Sequence, residues 1–281
     1  PLSGVSHRPV ISFPNCKINL GLHVLSRRED GFHELDTVFY PVPWTDILEI
    51  VRDEGNESDI DFRNSGIRIY GPRDKNLCVR AYQLLAADFP LPPIRMHLHK
   101  NLPIGAGLGG GSADAAFALR LINDLFRLKI PVARLENYAA RLGSDCPFFI
   151  QNKAVRATGR GDVFESAKVD LKGYQLVIVK PRAHVSTAEA YSGITPKADR
   201  ESLRVLVRKP VAQWREVLVN DFEETIFIKH PSIRKIKEQL YKLGAVYASM
   251  SGSGSAVFGI FEQPTDVHMH FRSATVWQGR L

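Results

Sequence analysis

The chain has 281 residues, of which 44% are hydrophobic and 24% charged, and its formal net charge is +7. This is an ordinary globular composition, long enough for one large or two moderate domains, with no apolar run long enough to span a bilayer. Lys and Arg are spread through every segment, so the positive charge indicates no nucleic-acid surface and suits an enzyme with polyphosphate substrates.

The beginning of the chain and its cysteines bear on where the protein works. The segment "PLSGVSHRPV" lacks an initiator Met and the layout of a signal peptide, and we interpret it as a tag remnant or trimmed start outside the fold. Cys16, Cys78 and Cys146 lie far apart, with no C-x-x-C pattern. This spacing excludes a disulfide framework or a thiolate metal site and fits a reducing cytoplasm.

The pattern of apolar residues predicts a mixture of strands and helices. Alternation and β-branched or aromatic content predict strands over 16–25, 37–42, 46–52, 94–99, 154–158, 162–167 and 174–180. We expect turns at "NESDI" and "FRNSG", between further short strands, and a hairpin turn at "GRGD". Helical spacing predicts helices over 76–88, 112–127, 132–142 (with Gly143 as a stop), 186–193, 211–227 and 231–243.

The distribution of these elements predicts the domain organisation. The β-rich first part gives way to a more helical part near residue 165. We therefore expect an α+β fold with two lobes, residues 10–165 and 166–281, and a cleft between them.

The stretch "NLPIGAGLGGGSADAAFALRLINDLF" contains the pattern G-x-G-x-x-G at Gly105, Gly107 and Gly110. A dinucleotide-binding cradle would need a second strand about 20 residues later, and a helix-like segment follows instead. A Walker A loop would need Lys after its last Gly, where this loop has Ser112. The protein-kinase loop should come with H-R-D and D-F-G, and the chain has neither.

The physical properties of the loop nevertheless indicate an anion site. Consecutive glycines let the backbone approach a ligand closely, and Ser112 is a good N-cap for the alanine-rich helix that follows. Free N–H groups and the positive end of the helix dipole would then face a triphosphate. The alternative is a glycine-rich surface turn.

Five motifs resemble one known family. The pattern P-x-G-x-G-L-G-G-G-S-A, from Pro103 to Ala113, resembles the phosphate loop of the GHMP kinases, which include galactokinase and homoserine, mevalonate and phosphomevalonate kinases. Four further segments resemble those family members that phosphorylate a cytidine diphosphate-linked polyol. They are "FPNCKINLGLHV", "EDGFHELDTVF", "LGSDCPFF" and "SMSGSGSAVFGIF".

The resemblance implies the two-lobed GHMP kinase fold, with the active site in the cleft and ATP as phosphoryl donor. The residues it assigns to ATP are Pro103, Ile104, Gly105, Ala106, Gly107, Leu108, Gly109, Gly110, Gly111, Ser112, Ala113 and Lys100. Asn101 and Asn76 are further contacts by position, and, like Lys100, they could equally be ordinary caps or surface residues. ATP implies Mg²⁺, whose ligands the sequence does not identify; Ser112 is a candidate.

The resemblance also implies the catalytic residues. Asp145, just past a helix end, is the expected base, and Pro147 should hold Cys146 extended so that the Asp145 carboxylate projects from the helix. Lys17 is the expected catalytic lysine, and Asn19 shares its strand face and should reach the same substrate. Cys16 stands where the family usually has Ala, a small and tolerable change.

The cytidine end of the substrate needs aromatic faces and a residue that reads the base edge. By resemblance, Phe32 stacks on cytosine in place of the usual Tyr, and His33 reads its edge. Thr187 lies near the polyol, while Tyr191 is either a second stacking face or a core residue.

Two alternatives remain open. One is another GHMP kinase, such as a mevalonate or homoserine kinase, although the "DGFHEL" segment argues against it. The other is a non-catalytic nucleotide- or RNA-binding module, against which the presence of both Lys17 and Asp145 argues. We expect small-molecule substrates, no nucleic-acid partner and no membrane association.

Overall fold

The structure is a computed structural model that describes residues 10–53, 55 and 58–281. Its strands are β1 (Val10–Ser12), β2 (Asn15–Arg27), β3 (His33–Thr45), β4 (Ile47–Arg52), β5 (Ile60–Gly66), β6 (Ile94–Lys100), β7 (Val155–Gly159), β8 (Val163–Ser166), β9 (Gln175–Lys180), β10 (Tyr247–Met250), β11 (Val257–Phe261) and β12 (Thr275–Arg280).

The helices are α1 (Leu77–Ala86), α2 (Gly110–Leu125), α3 (Val132–Leu142), α4 (Phe148–Gln151), α5 (Thr187–Ser192), α6 (Leu203–Leu206), α7 (Trp214–Val217), α8 (Phe222–Lys229) and α9 (Pro231–Lys242). They follow the strands in groups, with α2–α4 between β6 and β7 and α5–α9 between β9 and β10. Single 3-10 turns occupy Arg73–Lys75, Val211–Gln213 and His268–His270. In the part of the chain that is described, no helix has both the length and the apolar character needed to cross a membrane.

The first of two compact units contains the described residues up to Asn15, Thr45–Leu102 and Gly110–Gln151. Its sheet has the strand order β1–β4–β6–β5, in which β5 runs parallel to β6 and the other pairs are antiparallel. The alternating sequence of β6 buries every second side chain, so that Met96 pairs with the buried Ile50 of β4.

Helices cover this sheet. The alanine-rich α2 packs against α1, α3 and the strands β1 and β4, because its small buried side chains let neighbouring elements approach closely. The apolar stripe of α3 buries Leu135, Tyr138 and Leu142 at helical spacing, and the helix ends at Gly143, as the sequence predicts.

The second compact unit contains Cys16–Trp44, Pro103–Gly109 and Asn152–Leu281. One of its sheets has the order β2–β3–β7–β8, and the other has the order β10–β11–β9–β12 with antiparallel pairs throughout. Ile233 and Leu240 of α9 join the buried core formed with Val177 of β9. Each compact unit is made of three separate segments of the chain, so neither unit is one continuous half of the sequence. The boundary predicted near residue 165 therefore stays a prediction.

Most of the predicted elements are present, and the mixture of helices and sheets confirms the α+β prediction. The antiparallel pair β7 and β8 turns at the "GRGD" segment, as expected for a hairpin. Helix α2 begins at Gly110, so Ser112 is its third residue and not the predicted N-cap. The turn expected at "NESDI" lies partly outside the described residues.

Tertiary contacts account for the other differences. The helix predicted over 211–227 is interrupted, because Leu22 of β2 forms backbone hydrogen bonds with Val219 and Asp221 and draws this segment out of the helix. "FRNSG" is part of β5, because parallel pairing with β6 supplies its hydrogen bonds. The sequence analysis also missed α4, α6 and β12, of which the last is held by pairing with β9.

Candidate active site

Lys17 lies in β2, where ten consecutive residues from Asn15 to Val24 are buried. Its side chain is only 3% exposed. The ammonium group donates to Oδ1 of Asn19 over 2.7 Å and to the carbonyl oxygen of Gly107 over 3.2 Å, and lies 4.7 Å from the centre of the Phe39 ring. A buried positive charge is therefore held against the glycine loop.

The side-chain amide of Asn19 is held in one orientation by Thr37. Its Nδ2 donates to the Thr37 hydroxyl over 2.9 Å, and that hydroxyl donates to the carbonyl oxygen of Gly21 over 2.7 Å. This arrangement turns Oδ1 of Asn19 toward Lys17. The sequence analysis gave no role to Thr37, although the threonine is part of the quoted "EDGFHELDTVF" segment.

The glycine loop at 103–109 is anchored at three successive carbonyl groups. Ala106 accepts from the N–H of Ala256 over 3.1 Å, Gly107 accepts from the Ser251 hydroxyl over 2.9 Å, and Leu108 accepts from the N–H of Lys17 over 3.0 Å. Ser251 was also missed as a site residue; its signal was the "SMSGSGS" segment.

Loop glycines are required by backbone conformation and by space. Gly105, Gly107 and Gly109 have φ values of +63°, +76° and +71°, which other residues rarely adopt. A Cβ atom on Gly107 would lie 2.0 Å from the carbonyl oxygen of Ser251. Within the described part of the chain, the N–H groups of these three glycines donate to no protein acceptor, so they are available to an anion.

The chain enters α2 directly after the loop, at Gly110. The first N–H groups of a helix have no partner within it, and the helix dipole makes this end positive. A Cβ on Gly111 would have no atom within 4 Å, so this glycine leaves open space beside the first turn. These features are those of an anion-binding helix terminus.

Asp145 lies partly buried in a turn between α3 and α4. Cys146 is also part of this turn, since its N–H donates to the carbonyl of Gly143 and its own carbonyl accepts from the N–H of Phe149. The extended conformation expected from Pro147 stays a prediction. Burial raises the pKa of the Cys146 thiol to about 11; a hydrogen bond with Ser112 opposes this shift, and the charge of Asp145 adds to it. The Asp145 turn therefore lies beside the first turn of α2.

Lys100 has a different environment from the one that the resemblance implies. Its ammonium group is 4% exposed and lies 2.5 Å from a carboxylate oxygen of Asp46 and 2.7 Å from one of Asp114. Asp46 also accepts from the backbone N–H groups of Asn101 and Leu102. This buried cluster holds the end of β6 ahead of the loop, which argues against a direct contact between Lys100 and ATP.

Asn76 and Asn101 both have protein partners. Asn76 caps α1 by accepting from the N–H of Cys78 over 2.9 Å, and Asn101 donates its side-chain amide to the carbonyl of Thr45 over 3.1 Å. These contacts favour the ordinary structural interpretation of both asparagines.

Two of the residues predicted to hold cytosine contact each other. His33 stacks on Tyr191, with ring centres 4.8 Å apart and planes at 24°, and the edge of Tyr191 meets Phe222 at 4.8 Å. Phe32 is 54% exposed, with the Arg160 guanidinium 5.0 Å from its ring centre. Burial and then the charge of Arg27 lower the pKa of His33, which favours a neutral imidazole.

Thr187 is the first residue of α5, whose N-cap Ser186 accepts from the N–H of Glu189. The exposed Thr187 side chain is thus at the N-terminal end of the helix that also carries Tyr191. Of the predicted phosphate-loop residues, Pro103, Ala106, Leu108 and Ala113 are buried, whereas Ile104 is half exposed.

The described residues contain no group of three or more His, Cys, Asp or Glu side chains placed to hold a metal ion. Mg²⁺ in kinases commonly takes one or two protein oxygen ligands together with substrate phosphates. The Ser112 hydroxyl and the Asp145 carboxylate, which both lie beside Cys146, are oxygen donors of this kind. The residues present therefore fit a magnesium ion that is bound largely through the nucleotide.

A buried lysine on a glycine loop, with a helix N-terminus directly after it in the chain, has the features of a site for nucleotide phosphates. The family model described as "GHMP kinases N terminal domain" matches residues 76–153, and the model described as "GHMP kinases C terminal" matches residues 202–268. The chain belongs to the GHMP kinase family.

Named relatives narrow the comparison within the family. The 4-diphosphocytidyl-2-C-methyl-D-erythritol kinase of Parabacteroides distasonis is 50% identical over 274 residues, which cover 97% of this chain and 100% of the relative. The enzyme of the same name from Cytophaga hutchinsonii is 49% identical over 92% of this chain and 95% of the relative.

Solved structures agree with this family assignment. A crystal structure of 4-(cytidine 5'-diphospho)-2C-methyl-D-erythritol kinase has a TM-score of 0.82 and 30% identity, covering 96% of this chain and 98% of its own. The mevalonate kinase of Methanococcus jannaschii has a TM-score of 0.73 at 13% identity, covering 99% of both chains. The second similarity shows the fold alone.

Proposed function

We propose that the protein transfers the γ-phosphoryl group of ATP to the C2 hydroxyl of 4-diphosphocytidyl-2-C-methyl-D-erythritol, giving the 2-phosphate and ADP. This is a step of non-mevalonate isoprenoid synthesis and, we propose, a cytoplasmic one. The observation that carries the kinase activity is the buried Lys17 ammonium, held on the carbonyl of Gly107 in a loop whose N–H groups are available to phosphate. The relatives of the same name, about half identical over nearly the whole chain, support the choice of substrate.

Phosphoryl transfer depends mainly on positioning and on stabilisation of charge. In the proposed mechanism, the glycine loop and the first turn of α2 hold the ATP phosphates by backbone N–H groups. Lys17 offsets the negative charge that spreads over the transferred group, because its ammonium is buried and strongly oriented. Ser112 is the candidate protein ligand of a nucleotide-bound Mg²⁺, which would supply further charge neutralisation.

Asp145 is the proposed base that accepts the proton of the attacking hydroxyl. Asp145 lies in the turn between α3 and α4 and is only partly buried, so solvent and substrate have access to the residue. Asn19, with its amide fixed by Thr37, is proposed to contact the same substrate as Lys17.

We propose that Tyr191 provides a stacking face for cytosine and that His33 reads the base edge. A neutral imidazole has one donor and one acceptor nitrogen, which suits the mixed edge of a pyrimidine. Stacking on an aromatic face accepts any base, so discrimination depends on the edge contact. Phe32, whose ring is exposed, is proposed as a third residue that contacts the cytosine, on its solvent side.

ADP release tests the proposal directly. The protein is supplied with ATP and Mg²⁺, either alone or with 4-diphosphocytidyl-2-C-methyl-D-erythritol, mevalonate or homoserine. We expect release only with the cytidylated substrate, together with a new phosphomonoester on its C2 hydroxyl by ³¹P NMR. If ADP is released with mevalonate or homoserine but not with the cytidylated compound, the proposed substrate is wrong. If the protein binds ATP but transfers no phosphoryl group to any of these compounds, the non-catalytic binding module is favoured.

A further inference from the structure

The second compact unit carries a surface cavity of about 480 Å³ that is lined by none of the residues assigned to the proposed reaction. It is bounded by the segment after β9 (Pro181–Ala183), by one face of α9, and by the segment 270–274 before β12. Its volume is within the usual range of small-ligand pockets. None of its lining residues belongs to the glycine loop or to the proposed cytidine contacts.

The cavity is lined by basic side chains and by no acidic ones. Arg182, Lys235 and His270 line it, and its lining includes no Asp or Glu. None of these three side chains forms an ion pair with another described residue, whereas Lys237, two positions along α9, pairs with Glu223 over 2.5 Å. The cavity therefore concentrates the positive charges of Arg182 and Lys235, which the described acidic residues do not neutralise, and places the His270 imidazole beside them as a hydrogen-bonding group.

Neutral hydrogen-bonding groups and an apolar surface complete the lining. Ser232, in the first turn of α9, and Ser273 present hydroxyl groups, and the positive end of the helix dipole adds to the cationic side chains. Ile236 and Phe271 are largely buried and form an apolar part of the wall. This combination fits a phosphate group attached to a small organic body.

The cavity wall is connected to the glycine loop by hydrogen bonds. The carbonyl of Ala183 accepts from the Ser255 hydroxyl over 2.5 Å, and the next residue, Ala256, donates its N–H to Ala106 in the loop. His184, the residue directly after Ala183 in the segment that follows β9, also packs on the loop, because a Cβ on Gly105 would lie 2.9 Å from its ring. Displacement of this segment would therefore reach the nucleotide cradle.

We propose that this cavity is an effector site for a small phosphorylated organic anion, separate from the nucleotide site. The link to nucleotide affinity rests on the proposed function, whereas anion binding itself does not. Binding is measured by calorimetry with glycerol 3-phosphate and, separately, with inorganic phosphate at matched ionic strength. The proteins compared are the wild type, the double variant Arg182→Ala/Lys235→Ala, and Lys242→Ala, which removes an exposed charge in the last turn of the same helix.

We expect glycerol 3-phosphate to bind the wild type and the Lys242→Ala control with the same affinity. Its affinity for the double variant should be at least about tenfold lower. It should bind more tightly than inorganic phosphate, because the apolar wall contacts its carbon chain. Equal affinities of the wild type and the double variant would show that the anion does not bind in this cavity. Tighter binding of inorganic phosphate than of glycerol 3-phosphate would contradict the proposal that the ligand is an organic phosphate. The KM for ATP should change with glycerol 3-phosphate in the wild type and in the Lys242→Ala control but not in the double variant; an unchanged KM in the active wild-type enzyme would overturn the effector role.

Discussion

Lys17 and Asn19, two residues apart on one face of β2, form a buried hydrogen bond of 2.7 Å from ammonium to side-chain oxygen. Because Thr37 binds the amide nitrogen of Asn19, the oxygen is turned toward Lys17 and, at a longer distance of 3.5 Å, toward the Ser251 hydroxyl. The ammonium of Lys17 in turn reaches the carbonyl of Gly107. The position of the proposed catalytic charge thus depends on a threonine that contacts neither the loop nor the lysine in these hydrogen bonds.

Thr37→Val tests this dependence. The change removes the hydroxyl at nearly constant shape and leaves the Asn19 amide and the Gly21 carbonyl without their buried partner, at a cost of about 1–3 kcal/mol. We expect kcat to fall about tenfold or more while the KM for ATP changes little, and Thr37→Ser to restore most of the activity. Thr158→Val, a strand threonine whose hydroxyl also faces a carbonyl, is the control. A loss of melting temperature without any loss of kcat would leave Thr37 with a purely structural role.

Asp145→Asn tests the proposed base. The amide keeps the shape of the side chain but cannot accept the proton, and loss of a general base typically lowers the rate by about 10²–10⁴-fold. We expect kcat to fall in this range while ATP and the cytidylated substrate still bind. Asp124→Asn, an exposed aspartate near the end of α2, is the control. Near-normal turnover of the Asp145 variant would remove it from the base role.

The glycine loop is best tested at Gly111. A Cβ there meets no protein atom within 4 Å, so Gly111→Ala should leave the melting temperature nearly unchanged and raise the KM for ATP about tenfold by obstructing the phosphate. Gly107→Ala should lower both stability and ATP affinity, because φ is +76° and the Cβ meets the Ser251 carbonyl. Gly110 is less suitable, since its Cβ would press on Lys100. Unchanged ATP affinity in Gly111→Ala would place the phosphates elsewhere.

The acidic partners of Lys100 should differ in their contribution to stability. Asp46 accepts two backbone N–H groups in addition to the ammonium, so Asp46→Asn should cost about 3–5 kcal/mol, as expected for breaking a buried ion pair. Asp114→Asn should cost much less at pH 7, because burial raises the pKa of Asp114 to about 8, against the opposing effect of Lys100 and with a further contribution from Asp46. Urea unfolding of the two variants measures this difference.

The raised pKa of Asp114 also sets a pH dependence. A carboxyl group whose pKa is higher in the native than in the unfolded state stabilises the fold fully below its unfolded value near 4, and this contribution is lost as the pH rises through about 8. The wild type should therefore lose stability relative to Asp114→Asn between pH 5 and pH 8.5. A difference in unfolding free energy that stays constant across this range would contradict the raised pKa.

Much of this arrangement can be predicted from local sequence, and the rest depends on long-range contacts. Lys17 and Asn19 share a face because strand periodicity places them there, and the glycines of the loop indicate its conformation directly. Thr37 could not be assigned, because its hydrogen bond joins two strands whose register the sequence does not reveal. The burial of Lys100 could not be predicted either, because its partners Asp46 and Asp114 are 54 and 14 residues away in the sequence.

The sequence singled out Phe32, His33 and Tyr191 but did not indicate which of these rings contact one another. Any aromatic residue near "DGFHEL" could meet Tyr191, and the fold chooses His33 because that residue begins β3, whereas Phe32 stays outside the strand. Burial of the Tyr191 edge against Phe222 shows that this tyrosine also packs in the core, so the two interpretations of Tyr191 do not exclude each other.

The last prediction separates these two roles of Tyr191. Stacking on an aromatic platform contributes about 1–3 kcal/mol per base, so Tyr191→Ala should raise the KM for the cytidylated substrate about tenfold or more. Tyr191→Phe keeps the ring and the Phe222 contact and should be nearly silent. Phe32→Ala should have a smaller effect, because its ring is 54% exposed and lies against Arg160. His33→Ala should instead relax discrimination between the cytidine and uridine forms, because an unsatisfied edge contact is what rejects the wrong base. The measurement is KM for both nucleotide substrates in each variant, with the melting temperature as the control for packing. Equal losses toward ATP and the cytidylated substrate in Tyr191→Ala would leave this residue as a core residue only.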